Sequence, residues 1–191
     1  MAQDLSAAFE APLVVSTVTR LLVDLNRSIG HPRLHAEVVR QLPREERDRI
    51  IADHYQPHRA TVEDLIRRAI AHGQRAIHVA SHSFTPVLNG QVRTADVGLL
   101  YDPSRAGERR LCARWKAALA QALPHRRVRR NYPYSGKDDG LMPYLRGRFP
   151  DSVYLGIELE INQAIVVGAP RRWAELRSAM IDSVRVALAR S

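Results

Sequence analysis

Apolar residues recur at every second position from Val153 to Ile161, namely Val153, Leu155, Ile157, Leu159 and Ile161. That period marks a β-strand with one face turned to a core. The positions between them, Tyr154, Gly156, Glu158 and Glu160, share the opposite face. Two carboxylates therefore stand on one side, toward the C-terminal end of an otherwise apolar strand. A carboxylate taken out of water is costly unless something pairs with it. The pair predicts either a buried site completed by a metal, arginines or a substrate, or an edge strand whose glutamates face solvent.

The remaining pattern alternates strands with helices. Pro12–Ser16 reads as a short apolar strand, and the run from Leu21 to Leu25 ends abruptly in Asn26-Arg27-Ser28, with Gly30 and Pro32 marking a loop. From Pro43 to Gly73 the pattern is helical and interrupted at Pro57; Leu65, Ile66, Ala69 and Ile70 form its apolar stripe and Gly73 its stop. Ala76–Ser81 is a buried strand running into His82-Ser83-Phe84-Thr85-Pro86, and Asn89-Gly90 is a turn pair. Asp96–Tyr101 is a further strand, ended by Asp102-Pro103. Leu111, Trp115, Ala118, Leu119 and Ala122 mark one face of a helix closed by Pro124. Arg126–Arg130 reads as a short strand, exposed or at an edge. Residues 131–140 are a polar, aromatic, glycine-bearing loop of the kind that carries function. A short helix is predicted over Leu141–Arg148, and Trp173, Leu176, Met180, Val184 and Leu188 mark a C-terminal helix after Pro170. This order predicts an α/β domain with helices on both faces of a mostly parallel sheet.

The 191 residues, 45% of them hydrophobic, suit a single domain over 1–191. No apolar run is long enough to cross a bilayer, and the N-terminus lacks the basic-then-apolar pattern of a signal peptide, so the expected location is cytoplasmic. The single cysteine, Cys112, falls on an apolar helix face and is expected to pack rather than react. The net charge of +9 comes almost wholly from arginine, since Lys116 and Lys137 are the only lysines. The arginines are scattered apart from Arg126-Arg127-Val128-Arg129-Arg130, and aromatics are 6% of residues. A nucleic-acid surface usually combines clustered charge with stacking aromatics or a recognition motif. The charge therefore suits an anionic small molecule better than nucleic acid.

Ligands of such sheets gather at the C-terminal ends of the strands. Three polar clusters are predicted there: Asn26-Arg27, His82-Ser83, and Glu158 with Glu160. A histidine, paired acids and an anion-binding arginine together suggest a metal-assisted hydrolase, because a carboxylate beside a histidine-bound metal can deprotonate the attacking water. None of the clusters has a His-Glu-x-x-His spacing. His78, on the same strand face as His82, is expected to be a hydrogen-bonded core residue. The i, i+4 spacing of His54 and His58 is disturbed by Pro57.

Asp24-Leu25-Asn26-Arg27-Ser28, Ser81-His82-Ser83-Phe84-Thr85-Pro86, Arg93 with Asp96-Val97-Gly98, Asn131-Tyr132-Pro133-Tyr134-Ser135-Gly136 and Gly156–Gln163 follow one another as in the N-formylglutamate amidohydrolase family. The chain resembles that family from about Pro12 to Gln163. The resemblance implies a three-layer α/β/α fold with a mostly parallel mixed sheet, like the zinc exopeptidases. It also implies a metal-dependent amidohydrolase that cleaves an N-acyl amino acid, with N-formyl-L-glutamate giving formate and glutamate. By resemblance His82 is a zinc ligand and Glu160 the general base, with Glu158 in support or touching substrate. Asn26 and Arg27 would grip a substrate carboxylate, which the planar guanidinium fork suits. Arg93, Asn131 and Tyr134 would line the pocket. The resemblance further implies a His-Gly-Gly type segment ahead of Pro12 carrying other metal ligands. This sequence has none, so a shortened relative with an incomplete ligand set is expected.

Two other function classes follow from that gap and from the charge. One is a truncated, catalytically impaired relative acting as a binding or structural module, homo-oligomeric where a partner chain covers an exposed sheet edge. The other is an anion- or nucleic-acid-binding protein using Arg126–Arg130, which the composition disfavours.

Overall fold

The computed structural model describes residues 1–167 and 170–189. Its helices are α1 (Ala2–Phe9), α2 (Glu37–Arg40), α3 (Arg44–Ile50), α4 (Gln56–Ala71), α5 (Ala106–Ala122), α6 (Leu141–Arg148), α7 (Gln163–Val166) and α8 (Pro170–Ala189). Its strands are β1 (Ala76–Phe84), β2 (Val87–Leu88), β3 (Gln91–Val92), β4 (Val97–Leu100), β5 (Val128–Arg130) and β6 (Tyr154–Asn162). β2 and β3 form a hairpin, and the other four make one sheet in the order β1-β6-β4-β5.

β4 runs parallel to β5 and antiparallel to β6. At one end of β1 the Ala76 N–H donates to the Val153 carbonyl. At the other, Gln163 Nε2 donates to Ser83 Oγ. Both contacts require β1 and β6 to run the same way. The sheet is thus mostly parallel and mixed and is flanked by helices, as the alternation of elements predicts.

Close contacts divide the chain into two compact units, one made of Met1–Ala11, Ile77–Lys137 and Leu155–Ser191, the other of Pro12–Ala76 and Asp138–Tyr154. In the first unit, Leu155, Ile157, Leu159 and Ile161 on β6 join Val97 and Leu99 on β4 in the core. Against them pack Leu111, Cys112, Trp115 and Leu119 of α5, Leu176, Met180 and Val184 of α8, and Leu5 of α1. α1 was not predicted, although Met1, Leu5 and Phe9 repeat at helical spacing. Cys112 is wholly buried, as its apolar face implies. The hairpin closes on Asn89 and Gly90 at φ 49° and 75°. Two positive values in succession belong to the tight turn that Asn-Gly favours.

A buried carboxylate that the sequence reading passed over, Glu108 of α5, ties helix to sheet. It pairs with Arg105 Nε at 3.0 Å and accepts the backbone N–H of Asp102 at 2.9 Å and of Gly156, in β6, at 3.1 Å.

The second unit departs from the expectations more. Pro12–Ser16 is not a strand: it has no ladder partner, and Leu13 and Val15 are 40% and 62% exposed. Three apolar residues in succession (Leu13, Val14, Val15) gave no alternation to bury. Leu21–Ser28 is a chain of turns rather than a strand. It is organised by Asp24, whose carboxylate accepts the Asn26 N–H at 3.0 Å and Arg20 Nη2 at 2.7 Å. Val23, Leu34 and Tyr55 form its small core. Pro57 does not end the predicted helix. The chain passes from α3 through a π-helical turn, Ile51–Tyr55, into α4, with Pro57 in its first turn. The π-helical turn directly ahead is where the continuous helical run takes up a proline that cannot donate its hydrogen bond. α4 stops at Ala71, two residues before Gly73.

Candidate active site

β6 is buried at every position, between β1 and β4. Glu158 and Glu160 are therefore 7% and 5% exposed, and the edge-strand alternative is set aside. The period-two count that picks out these two reaches one residue further, to Asn162, which the sequence reading left out. Asn162 Nδ2 donates to the carbonyls of Ala95 at 2.9 Å and Arg93 at 3.3 Å, while its Oδ1 accepts the Ala164 N–H and caps α7.

β1 brings its histidines to the same side. The Ala76–Val153 and Gln163–Ser83 bonds both imply an even offset between β1 and β6, and paired residues of neighbouring strands point the same way. His78 and His82 therefore share the face of Glu158, Glu160 and Asn162. Both histidines are partly buried.

β4 supplies the floor. Gly98 pairs with Glu160 across the ladder. A Cβ built on Gly98 would lie 2.0 Å from the Tyr132 carbonyl oxygen and 3.2 Å from Glu160 Cβ. Only a glycine lets the 131–136 loop settle on the strand at that point. Asn131 secures the loop: its Oδ1 accepts the N–H of Tyr101 at 3.0 Å and of Gly136 at 3.1 Å. The Tyr132 hydroxyl accepts the Thr94 N–H at 3.1 Å. Arg93 lies between two rings, its Cζ 4.9 Å from the Tyr134 centroid and 5.9 Å from that of Phe84, and its Nη1 donates to the Tyr134 hydroxyl at 2.9 Å. Of the expected site residues, Glu158, Glu160, His82, Arg93, Asn131 and Tyr134 all belong to the first unit.

Asn26 and Arg27 belong to the second. Asn26 Oδ1 accepts the Leu141 N–H at 2.8 Å, at the start of α6. Arg27 Nη1 donates to the Asp139 carbonyl at 2.7 Å, and its Nε lies 3.9 Å from Asp24. Asp139 also accepts the N–H and the hydroxyl of Ser28. Burial pushes the Asp139 carboxyl up, but the Ser28 bonds, with His31 and Arg27 nearby, outweigh it and leave the group below its usual range. The Arg27 carbonyl accepts from the Tyr55 hydroxyl at 2.7 Å and from Arg59 Nη2 at 2.9 Å. Arg59 stacks on the rings of Tyr55 and Tyr144, and burial lowers its pKa and raises that of Tyr55. A cleft of about 500 Å³ opens here, lined by Ser28, Tyr55, Arg59, Glu63 and Tyr144 among others. Tyr55, Arg59 and Asp139 were not foreseen; Asp139-Gly140, inside the loop singled out as functional, was the available signal.

A buried pair of carboxylates on a central strand, sharing its face with the histidines of the neighbouring strand, can do acid–base chemistry. The family model of N-formylglutamate amidohydrolase matches residues 1–167. The chain belongs to the N-formylglutamate amidohydrolase family. This N-formylglutamate amidohydrolase family member is therefore a hydrolase. Its fold is similar to that of a gene product of Agrobacterium tumefaciens, with 26% identity and a TM-score of 0.79 over 99% of this chain and 75% of that one. It is also similar to the N-formylglutamate amidohydrolase of Ralstonia eutropha, with 18% identity and a TM-score of 0.68 over 98% of this chain and 81% of that one. The latter likeness is one of fold alone. No match was found among curated protein sequences.

The resemblance also implies zinc. Among the described residues, no three histidine, cysteine, aspartate or glutamate side chains gather as a metal ion would need. His82 with the two glutamates does not by itself make up such a ligand set. No helix among the described residues is long and apolar enough to cross a membrane.

Proposed function

We propose that the protein hydrolyses the amide bond of an N-acyl amino acid, with N-formyl-L-glutamate as the first substrate to test. The observation that carries this reading is the buried Glu158–Glu160 pair on the central strand of a chain belonging to this family. The Glu160 carboxylate takes a proton from water, and the water oxygen attacks the formyl carbon. The carbon–nitrogen bond then breaks and the proton passes to the departing amine, leaving formate and glutamate. A carboxylate held within reach of the attacking water can act as such a general base. Glu158, two residues earlier on the same face, supports it. Asn131 acts through the loop it holds, and Tyr134 through Arg93.

Two further roles are proposed separately. Asn26 and Arg27 hold a substrate carboxylate, so Arg27→Ala should raise KM more than it lowers kcat. His82 would be one ligand of any zinc the protein carries, so zinc found in the purified protein should be lost in His82→Ala.

Release of formate from N-formyl-L-glutamate tests the main reading. Loss of a general base costs about 10²- to 10⁴-fold, and Glu160→Gln should fall by that order. Wild-type turnover in Glu160→Gln would remove Glu160 as the base. A folded wild-type protein that cleaves no N-acyl amino acid would leave the second reading, a catalytically impaired relative that binds without hydrolysing.

A further inference from the structure

Arg93 is held differently from the ion-paired arginines of its unit. Arg126 faces Asp96 and Glu175, Arg177 faces Asp4, and Arg105 faces Glu108. Among the described residues Arg93 has no carboxylate partner. Its guanidinium is instead fixed by the Phe84 and Tyr134 rings and by one hydrogen bond, from Nη1 to the Tyr134 hydroxyl. That leaves the Nε and Nη2 side of the fork unspent, and the residue is only half-buried. Its own main chain is anchored twice: its N–H donates to the Pro86 carbonyl at 2.8 Å, and its carbonyl accepts from Asn162, two residues beyond Glu160 on the same face of β6.

A guanidinium stacked on aromatic faces has already lost the rotamer freedom that an ion pair would otherwise cost, and its fork matches a carboxylate through two parallel hydrogen bonds. Ring stacking fixes the cation in place but leaves its charge without a counter-ion among the described residues. The arrangement is explained by an anion that arrives with the ligand.

We propose that Arg93, clamped between Phe84 and Tyr134, binds a carboxylate of the substrate and makes the site select anionic acyl amino acids over neutral ones. This rests on the hydrolase reading above for its substrate class, but not for its test. Tyr134 is a positioning residue here, because it acts through Arg93.

The experiment has two arms. In the first, calorimetry measures the binding of glutarate, a dicarboxylate with no scissile amide, to the wild-type full chain and to Arg93→Gln, Arg93→Lys and Arg129→Gln. A hydrogen bond between charged groups is worth about 1.5–3 kcal/mol, or roughly ten- to a hundred-fold in affinity. Arg93→Gln should lose binding by that factor. Arg93→Lys, which keeps the charge but not the fork, should fall between the two. Arg129→Gln, which alters the neighbouring arginine stacked on Tyr132, should bind as wild type does. In the second arm, kcat/KM is compared for N-formyl-L-glutamate and its neutral diamide, and Arg93→Gln should lose the preference for the acid chiefly through KM. No glutarate binding by wild type, unchanged binding in both Arg93 variants, or an equal loss in Arg129→Gln would each overturn the proposal. Glutarate binding that depends on Arg93, in a protein that cleaves neither amide, would overturn the hydrolase reading and leave the anion site standing.

Discussion

Gly98 and Glu160 face each other across the β4–β6 ladder, and the Tyr132 carbonyl oxygen lies where a side chain on residue 98 would begin. The glycine, rather than any charged group, thus sets how closely the 131–136 loop approaches the buried carboxylate.

A methyl group at residue 98 would meet backbone, which cannot swing aside as a side chain can. Gly98→Ala should therefore displace the loop, at a cost of about 1–3 kcal/mol for overpacking. Formate release should fall more than the loss of folded protein accounts for, since Glu160 is the nearest side chain. Urea unfolding alongside the activity assay checks this; an unchanged midpoint and unchanged turnover would mean that the loop yields freely.

Glu108 gives a prediction independent of catalysis. Glu108→Ala removes the Arg105–Glu108 ion pair and withdraws the acceptor from the N–H groups of Asp102 and Gly156. Breaking a buried pair from one side costs about 3–5 kcal/mol. The urea midpoint should fall accordingly, and Glu108→Gln, which retains an amide oxygen as acceptor, should fall less. Equal midpoints for the wild type and Glu108→Ala would refute the structural role.

The Arg27 carbonyl offers a smaller effect to measure. Tyr55→Phe removes one of its two donors and should cost about 1 kcal/mol. Arg59→Ala should cost more, because it also empties the space between the Tyr55 and Tyr144 rings. Differential scanning calorimetry of the two variants should rank them in that order.

How much of this could be read in advance depended on whether a local period existed. β6 was legible because its two faces differ at every step, and the Asn89-Gly90 turn because few residues accept its backbone angles. Glu108 was legible but unread: it lies on the same helical stripe as Leu111, Cys112 and Trp115, so its burial followed from their spacing. Pro12 to His35 was not legible. Its turns are set by side chain-to-backbone bonds that reach far along the chain, such as Leu141 to Asn26 across 115 residues and Ser28 to Asp139 across 111. No periodicity announces such bonds. For the candidate site, the strand periods reached Glu158, Glu160 and His82, while the cradle of Arg93 depends on rings brought together only by folding.

Asp139 should make the stability of this protein acid-sensitive in a definite direction. Burial alone would raise its pKa, but the hydrogen bonds from Ser28, together with His31 and Arg27, lower it below the ordinary value. A carboxyl whose pKa is lower folded than unfolded binds more protons in the unfolded state, so its contribution is fully present above the unfolded pKa of about 3.9. It is lost as the pH falls through the folded value. Asp139→Asn lacks this charge at every pH. The variant should therefore be less stable than wild type at pH 7, and the difference should shrink steadily below about pH 4. Glu63 is lowered in the same way, but it is present in both proteins and largely cancels in their difference. Urea midpoints of the pair at pH 7, 5, 4 and 3 measure it. A gap that stayed constant to the acid end would show that Ser28 holds Asp139 no more tightly in its charged form than in its neutral one.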